Sequence, residues 1–212
     1  MTSALLWLNQ LQKVDRDQVG NQILDLQRLW QANYPVSLGF IVPDGAMQLF
    51  WEKINWNSEI LKDFPYLSLN FSFSQAAQIQ FLAQALQQGI LNTPFDTDWT
   101  ADWDAVIPQH WDGQALMLTP YVWTTQDGVA SSSPVSEMLC LMPLVCDLQR
   151  DQFVLSLKTL WANLFQAHRL YVLQHLGLRP EQIHLSVLVQ SLPAVQGSGW
   201  LQLGDRHLVL EA

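Results

Sequence analysis

Residues 116–125 read LMLTPYVWTT, and this stretch decides how the rest of the chain is interpreted. Three apolar residues are followed by Thr119 and Pro120. Proline cannot donate a backbone hydrogen bond to a sheet, so the pattern predicts a buried strand that ends at Pro120. Ligands often bind where buried strands end. This end carries Thr, Pro, Tyr and Trp, but neither the cation nor the glycine-rich turn that a phosphate site needs.

The composition predicts a folded domain with a substantial core. Of 212 residues, 49% are hydrophobic and 14% are charged, unlike the composition of a disordered chain. This length fits a single domain over 1–212, with possible lobes at 1–113 and 114–212. The formal net charge is −9, and such an acidic surface argues against binding to nucleic acid or to anionic membranes.

The sequence carries no pattern of export or membrane insertion. No basic segment precedes an apolar stretch at the N-terminus, and no apolar run approaches the ~20 residues that a membrane helix needs. We therefore expect a cytoplasmic protein. Cys140 and Cys146 lie in an apolar run without the paired spacing of a zinc site, which predicts buried free thiols; a disulfide or a metal pair is the alternative.

Upstream of the opening strand, helical spacing and alternation predict several elements. They are a helix over 17–32, a strand over 38–42, a helix from Asp44 (as its cap) to about Trp51, a strand over 67–73, a helix over 75–91, and an acidic connector over 92–113.

Downstream of the opening strand, helical spacing and strand alternation predict a second series of elements. They are a small-residue loop over 124–137, an edge strand over 139–145, one long helix over 150–176 stopped by Gly177, a strand over 183–190, and a hairpin of 199–203 with 207–210. The order is not a regular βαβ alternation, so the fold class is α+β.

The order of motifs resembles the N-terminal nucleotide-binding domain of the pyruvate phosphate dikinase and phosphoenolpyruvate (PEP) synthase family. That family has Gly-Gly-Lys-x-x-x-Leu before Pro-Val-Pro-x-Gly-Phe-x-Val, where this chain has VGNQILDL at 19–26 and YPVSLGFIV at 34–42. Its Val-Arg-Ser-Ser and Ala-Ser-Phe-Ala-Gly are matched by LTPY at 118–121 and ASSSP at 130–134. Trp161–Phe165 and the strand 183–190 continue the match, which spans about residues 8–203.

The resemblance implies an ATP-grasp-like PEP/pyruvate-binding domain, a mixed sheet with flanking helices, and ATP with Mg²⁺ as ligands. The positions that match the family's nucleotide site are Gln22, Thr119, Ser131, Gln190 and Leu192. The resemblance further implies that an adenine pocket between residues 189–192 and the N-terminal strand could persist, because those contacts are made by backbone. No catalytic residue and no metal ligand set is predicted.

This chain departs from the family where the phosphates would bind. The family's phosphate-contacting Lys and Arg are replaced by Gln22 and Thr119, and Pro134 stands where its loop has glycine. Segment 63–149 contains nine acidic residues and no Lys or Arg. A triphosphate desolvated without cations is costly. We therefore expect no tightly held cofactor.

Two functions remain open. The first is a degenerate, non-catalytic binding or regulatory module that contacts a protein partner. The second is the ATP-binding half of a dikinase whose later domains (the rest of the ATP-grasp, a phosphohistidine domain and a PEP-binding barrel) lie on another chain or outside this sequence. Lys13, Arg16 or Arg169 would then replace the lost cations.

Aromatic and histidine residues supply further expectations. Trp99, Trp103 and Trp111 in the acidic connector predict either an exposed protein-contact surface or a lid over the core. His168 and His175 share one helical face, which predicts a place on the core seam rather than a common site.

Overall fold

The computed structural model describes residues 5–12, 15–54, 76–95, 103, 115–126, 129–131, 135–147, 149–192, 200–203 and 208–211. The predicted strand over 67–73 and most of the acidic connector lie outside these residues.

The described elements are helices and antiparallel strands, and the fold is α+β. The helices are α1 (Arg16–Val19), α2 (Asn21–Gln31), α3 (Asp44–Lys53), α4 (Ala76–Asn92), α5 (Val135–Leu139), α6 (Arg150–Asn163) and α7 (Ala167–His175), with short 3-10 helices at Leu8–Gln10 and Pro180–Gln182. The strands are β1 (Leu6–Trp7), β2 (Gly39–Val42), β3 (Ala115–Gln126), β4 (Val129–Ser131), β5 (Leu144–Cys146), β6 (Ile183–Leu192), β7 (Trp200–Leu203) and β8 (Leu208–Glu211).

One sheet organises the molecule. Its strand order is β1-β2-β6-β3-β4, and β5 pairs with the other end of β3. Strands from both sides of residue 113 therefore belong to the same sheet. The predicted C-terminal hairpin is confirmed, since β7 and β8 pair with each other in a separate two-stranded sheet.

The predicted strand end at Pro120 is wrong, because β3 continues to Gln126. On its edge opposite β6, β3 pairs with β5 through residues 116–118 and with β4 through residues 124–126. Bonding alternates along an antiparallel strand, so even-numbered residues of β3, Pro120 included, direct their backbone groups away from β6. Residues 119–123 have no partner on that side among the described strands, so the missing N–H of proline removes no ladder bond.

The two faces of the sheet support cores of different size. Ile183, Leu185, Val187 and Val189 of β6 join the large core, which also contains buried residues of α3, α4, α6 and α7. We call this the first face. On the opposite, second face, Leu188 packs in a smaller core with apolar residues of α1, α2 and β2.

The first predicted helix is interrupted. Gly20, with φ +81°, separates α1 from α2. A Cβ at this position would lie 2.8 Å from Cε3 of Trp123, so the chain passes directly over the Trp123 ring. Local spacing cannot reveal this contact, because Trp123 lies about a hundred residues further along the chain.

The long helix predicted over 150–176 is two helices, α6 and α7, although the predicted stop at Gly177 (φ +65°) is confirmed. The carbonyl of Asn163 at the end of α6 accepts a hydrogen bond from Arg169 Nη1 at 2.6 Å. This side-chain donor binds one of the carbonyls that a helix end leaves without an intrahelical partner.

The predictions for residues 124–145 need two corrections. The supposed loop over 124–137 contains the end of β3, all of β4 and the start of α5. The strand predicted over 139–145 begins only at Leu144, since α5 continues to Leu139 and Cys140 takes φ +45°. The edge position inferred from Pro143 agrees with the pairing of β5, which among the described strands is with β3 alone.

Gly39→Ala tests the close approach of β2 to β6. A Cβ at Gly39 would lie 2.2 Å from the Val189 carbonyl oxygen, so we expect a loss of about 1–3 kcal/mol in the free energy of unfolding, measured with urea. Gly45→Ala is the control, because a Cβ there meets no atom within 4 Å. An equal effect of the two substitutions would contradict the contact.

Candidate functional site

Three of the five predicted nucleotide positions lie on the second face of the sheet. Thr119 is opposite Leu188, Gln190 is opposite Met117, and Leu192 is opposite Ala115. Residues directly opposite each other share a face, and Leu188 belongs to the second-face core. The strand pairing therefore brings Thr119, Gln190 and Leu192 into one row.

The other two predicted positions are placed separately. Gln22 is the second residue of α2 and is exposed. Ser131 ends β4 and pairs with Thr124, five residues from Thr119. Five residues of extended chain cover about 17 Å, so Ser131 does not adjoin Thr119.

The space between β2 and β6 is filled by the sheet itself. Gly39 pairs with Gln190, and Phe40 pairs with Val189. The Gln190 side-chain amide also donates a hydrogen bond to the carbonyl of Ser37, two residues before β2 begins. Residues 189–190 are therefore joined edge to edge with β2. Ser191 and Leu192 extend beyond β2 and pair with β3.

Arg169 is buried and engaged with backbone carbonyls. Its guanidinium donates to the carbonyls of Leu139 at 2.6 Å, Cys140 at 3.1 Å and Asn163 at 2.6 Å, and to Gln166 Oε1 at 2.8 Å. Burial lowers the pKa of Arg169 from its usual value. The group that was expected to replace a lost phosphate ligand instead joins the ends of α5 and α6.

The structure describes only one of the other two expected replacements. Arg16 is exposed on α1, and Lys13 lies outside the described residues. A second buried cation, Lys158, donates to the Leu91 carbonyl at 3.2 Å, and its pKa is lowered by burial.

A buried network at one end of the sheet escaped the sequence analysis. Asp44 accepts from Gln48 Nε2 at 2.7 Å, from the Leu185 backbone N–H at 2.9 Å and from His184 Nδ1 at 2.8 Å. The predicted capping role of Asp44 is wrong: Pro43 occupies the cap position, and no side-chain cap bond forms. The carboxylate instead links α3 to β6.

The position of Asp44 follows from where β2 ends. The β2–β6 ladder stops at Val42 and Val187, and the chain then turns into α3. This turn would leave the buried Leu185 N–H without a strand acceptor, which is costly. The Asp44 carboxylate takes that place and so extends the ladder by one hydrogen bond.

The same network fixes the His184 imidazole. A carboxylate only accepts, so Nδ1 of His184 is the donor nitrogen in this pair. The ring stacks on Trp123, with centroids 5.5 Å apart and planes inclined by 21°. Carboxylate and indole together hold the imidazole in one orientation. No local pattern indicates this contact, since Asp44 and His184 are 140 residues apart.

On the second face, burial raises the pKa of Tyr121 to about 12, so this hydroxyl stays neutral at ordinary pH. Tyr121 is opposite Ser186, whose hydroxyl donates to the Val19 carbonyl at 2.9 Å. Neutral polar groups therefore line the middle of this face.

The remaining predicted residues have mixed outcomes. His168 and His175, expected in or beside the core, are exposed on α7 and so lie outside the core; Arg169, Leu170 and Leu173 are the buried residues of this helix. Trp103 is fully buried, so the exposed alternative is wrong for it, whereas Trp99 and Trp111 lie outside the described residues.

Both cysteines are free, but only Cys146 is buried. Burial raises the pKa of its thiol. Cys140 is exposed, which corrects its predicted burial.

Within the described ranges, no group of three or more His, Cys, Asp or Glu side chains could hold a metal ion. In the same part of the chain, no helix has the length and apolar character to cross a membrane. Comparison of the sequence with protein-family models and with curated proteins found no match.

Asp44→Asn tests the buried network. The substitution removes the charge that three donors bind, so we expect a loss of about 1.5–3 kcal/mol in the free energy of unfolding. Asp25→Asn is the control, because Asp25 forms an exposed pair with Arg28 that contributes at most about 1 kcal/mol. Urea unfolding measures both, and equal losses would refute the assignment.

Arg169→Lys tests whether the guanidinium joins the helix ends. A lysine cannot reproduce its forked donors, so we expect a loss of about 1–3 kcal/mol for each carbonyl left without a partner. Arg16→Lys, at an exposed position, should leave the unfolding midpoint unchanged. A stable Arg169→Lys protein would show that these bonds matter little.

Proposed function

We propose that this chain is a non-catalytic binding or regulatory module related to the N-terminal domain of the PEP synthase and pyruvate phosphate dikinase family. The observation that carries the proposal is the placement of the two buried cations, Lys158 and Arg169. Both donate to backbone carbonyls within the core. The positions that match the family's phosphate ligands, Gln22 and Thr119, are uncharged.

The arrangement of strands supports the relationship. Three of the motifs that carry the resemblance lie on β2, β3 and β6, which are adjacent in one sheet. Gly39, the glycine of the Gly-Phe motif, is required by its contact with Val189. We propose an ATP-grasp-like fold on this basis.

The electrostatics argue against phosphoryl transfer. Catalysis of that reaction depends on cations and Mg²⁺ that stabilise charge on the transferred group. Thr119 lies in the middle of β3. It shares the second face of the sheet with the uncharged side chains of Leu188 and Gln190. A triphosphate placed there would lose its hydration and gain no compensating charge.

A protein partner is part of the proposal. Met142 is 66% exposed, and Val145 on the edge strand β5 is 58% exposed. Exposed apolar residues beside an unpaired strand edge are typical of protein contacts. This edge is where we expect the partner to bind.

Calorimetric titration with Mg-ATP tests the proposal. We expect no phosphate-dependent binding in the micromolar range, either for the natural sequence or for Thr119→Arg, because one added cation leaves Gln22 and the acidic surroundings unchanged. Mg-AMP is the matched ligand without the β- and γ-phosphates. Micromolar binding that requires those phosphates would refute the proposal and favour the ATP-binding half of a dikinase.

A further inference from the structure

An aromatic cluster with an unusual polar content lies within the core of the first face. It consists of Phe50 on α3, Phe95 after α4, Trp103, and Lys158 and Trp161 on α6; we call it the Lys158 cluster. The ring of Phe95 lies 5.3 Å from that of Trp103 and 5.5 Å from that of Trp161, between centroids. Lys158 Nζ lies 5.6 Å from the Phe95 centroid and 5.9 Å from that of Phe50.

The Phe95 ring therefore adjoins the Lys158 ammonium and the rings of Trp103 and Trp161. Lys158 and Trp161 are three residues apart on α6, which places them on one side of that helix. Trp103 reaches Phe95 from a separate part of the chain. Phe95 is only partly buried and so marks the side of the cluster nearest to solvent.

The cluster holds more hydrogen-bond donors than acceptors. Lysine has three N–H bonds to donate, and the bond that Lys158 makes within the described residues is to the Leu91 carbonyl at 3.2 Å. The indole N–H groups of Trp103 and Trp161 are buried and have no acceptor in the same part of the structure. Neither lysine nor tryptophan can accept a hydrogen bond in return.

Such an arrangement calls for an acceptor. Buried polar groups in proteins are almost always hydrogen-bonded, so several unsatisfied donors in one place indicate a missing partner. An ammonium enclosed by aromatic rings also requires charge compensation, which the rings and one carbonyl supply only in part. A carboxylate provides both, because it carries a negative charge and two oxygens that only accept.

We propose that the Lys158 cluster binds a small aliphatic monocarboxylate. Its oxygens accept from Lys158 Nζ and from the indole N–H groups of Trp103 and Trp161. Its hydrocarbon part contacts the rings of Phe50 and Phe95. The ligand enters beside Phe95.

This site is independent of the proposed loss of nucleotide binding. It lies on the first face of the sheet, whereas Thr119 and Gln190 lie on the second. The lowered pKa of Lys158 fits a cation that has lost water without gaining an anion. A bound carboxylate would raise that pKa.

Thermal unfolding and calorimetry with sodium acetate and sodium butyrate test the site, at constant ionic strength maintained with sodium chloride. We expect a saturable rise in Tm and a saturable change in tryptophan fluorescence. Acetamide and butyramide, which match these ligands in shape but lack the charge, should have no effect. A carboxylate effect that does not saturate, or that the amides reproduce, would overturn the proposal.

Substitutions locate the binding. Lys158→Met should abolish it, and Trp161→Phe, which keeps an aromatic ring but removes the N–H, should weaken it by about tenfold. Lys53→Met, which removes an exposed lysine of α3, is the matched control and should bind as the natural sequence does. Undiminished binding by Lys158→Met would place the carboxylate elsewhere and refute the assignment.

A measurement on the unsubstituted protein guards against variants that fail to fold. With ¹³C-labelled lysine, NMR titration follows the Lys158 amine in the absence and presence of saturating butyrate. We expect the ligand to raise the pKa of Lys158 specifically. An unchanged Lys158 titration would contradict the proposal irrespective of any variant.

Discussion

The pairing of β6 with β2 on one side and β3 on the other is the constraint on which the rest of the structure depends. Side chains alternate along β6, so a slip of one residue would move Val187 and Val189 out of the large core. Ser186 would then enter that core and lose its bond to the Val19 carbonyl.

Two contacts oppose such a slip. Gly39 admits the Val189 carbonyl at a distance that no side chain would tolerate. Asp44 binds the Leu185 N–H, which is the next ladder donor after β2 has ended. The register is therefore specified at both ends of β2, by a missing side chain at one end and by a carboxylate at the other.

The buried arginine shows how helix ends are joined to one another. Helix C-termini carry partial negative charge and unpaired carbonyls. Arg169 binds such carbonyls at the end of α5, through Leu139 and Cys140, and at the end of α6, through Asn163. A cation in this position is satisfied without a carboxylate and holds two helix ends in one place. Its charge is thereby committed to the fold.

Local patterns predicted what depends on local physics. The helix α4, the stop at Gly177 and the C-terminal hairpin all follow from spacing or from backbone conformation, and the structure contains each of them. The failures depend on distant contacts. Pro120 is accommodated by a gap between β4 and β5, and α1 is separated from α2 where Trp123 lies beneath Gly20. The bond between Asp44 and His184 crosses 140 positions, beyond the reach of any periodicity.

Three residues that match the family's apolar positions and three that match its nucleotide site lie on different faces of the sheet. Phe40, Leu118 and Val189 match apolar positions of the family, and all three lie in the large core, where packing alone calls for apolar residues. Thr119, the position that matches the family's arginine, lies on the opposite face. Matches at core positions therefore carry no information about a ligand, since one fold can host many different sites. Of the five positions that match the family's nucleotide site, Thr119, Gln190 and Leu192 lie on the second face, and all three are uncharged.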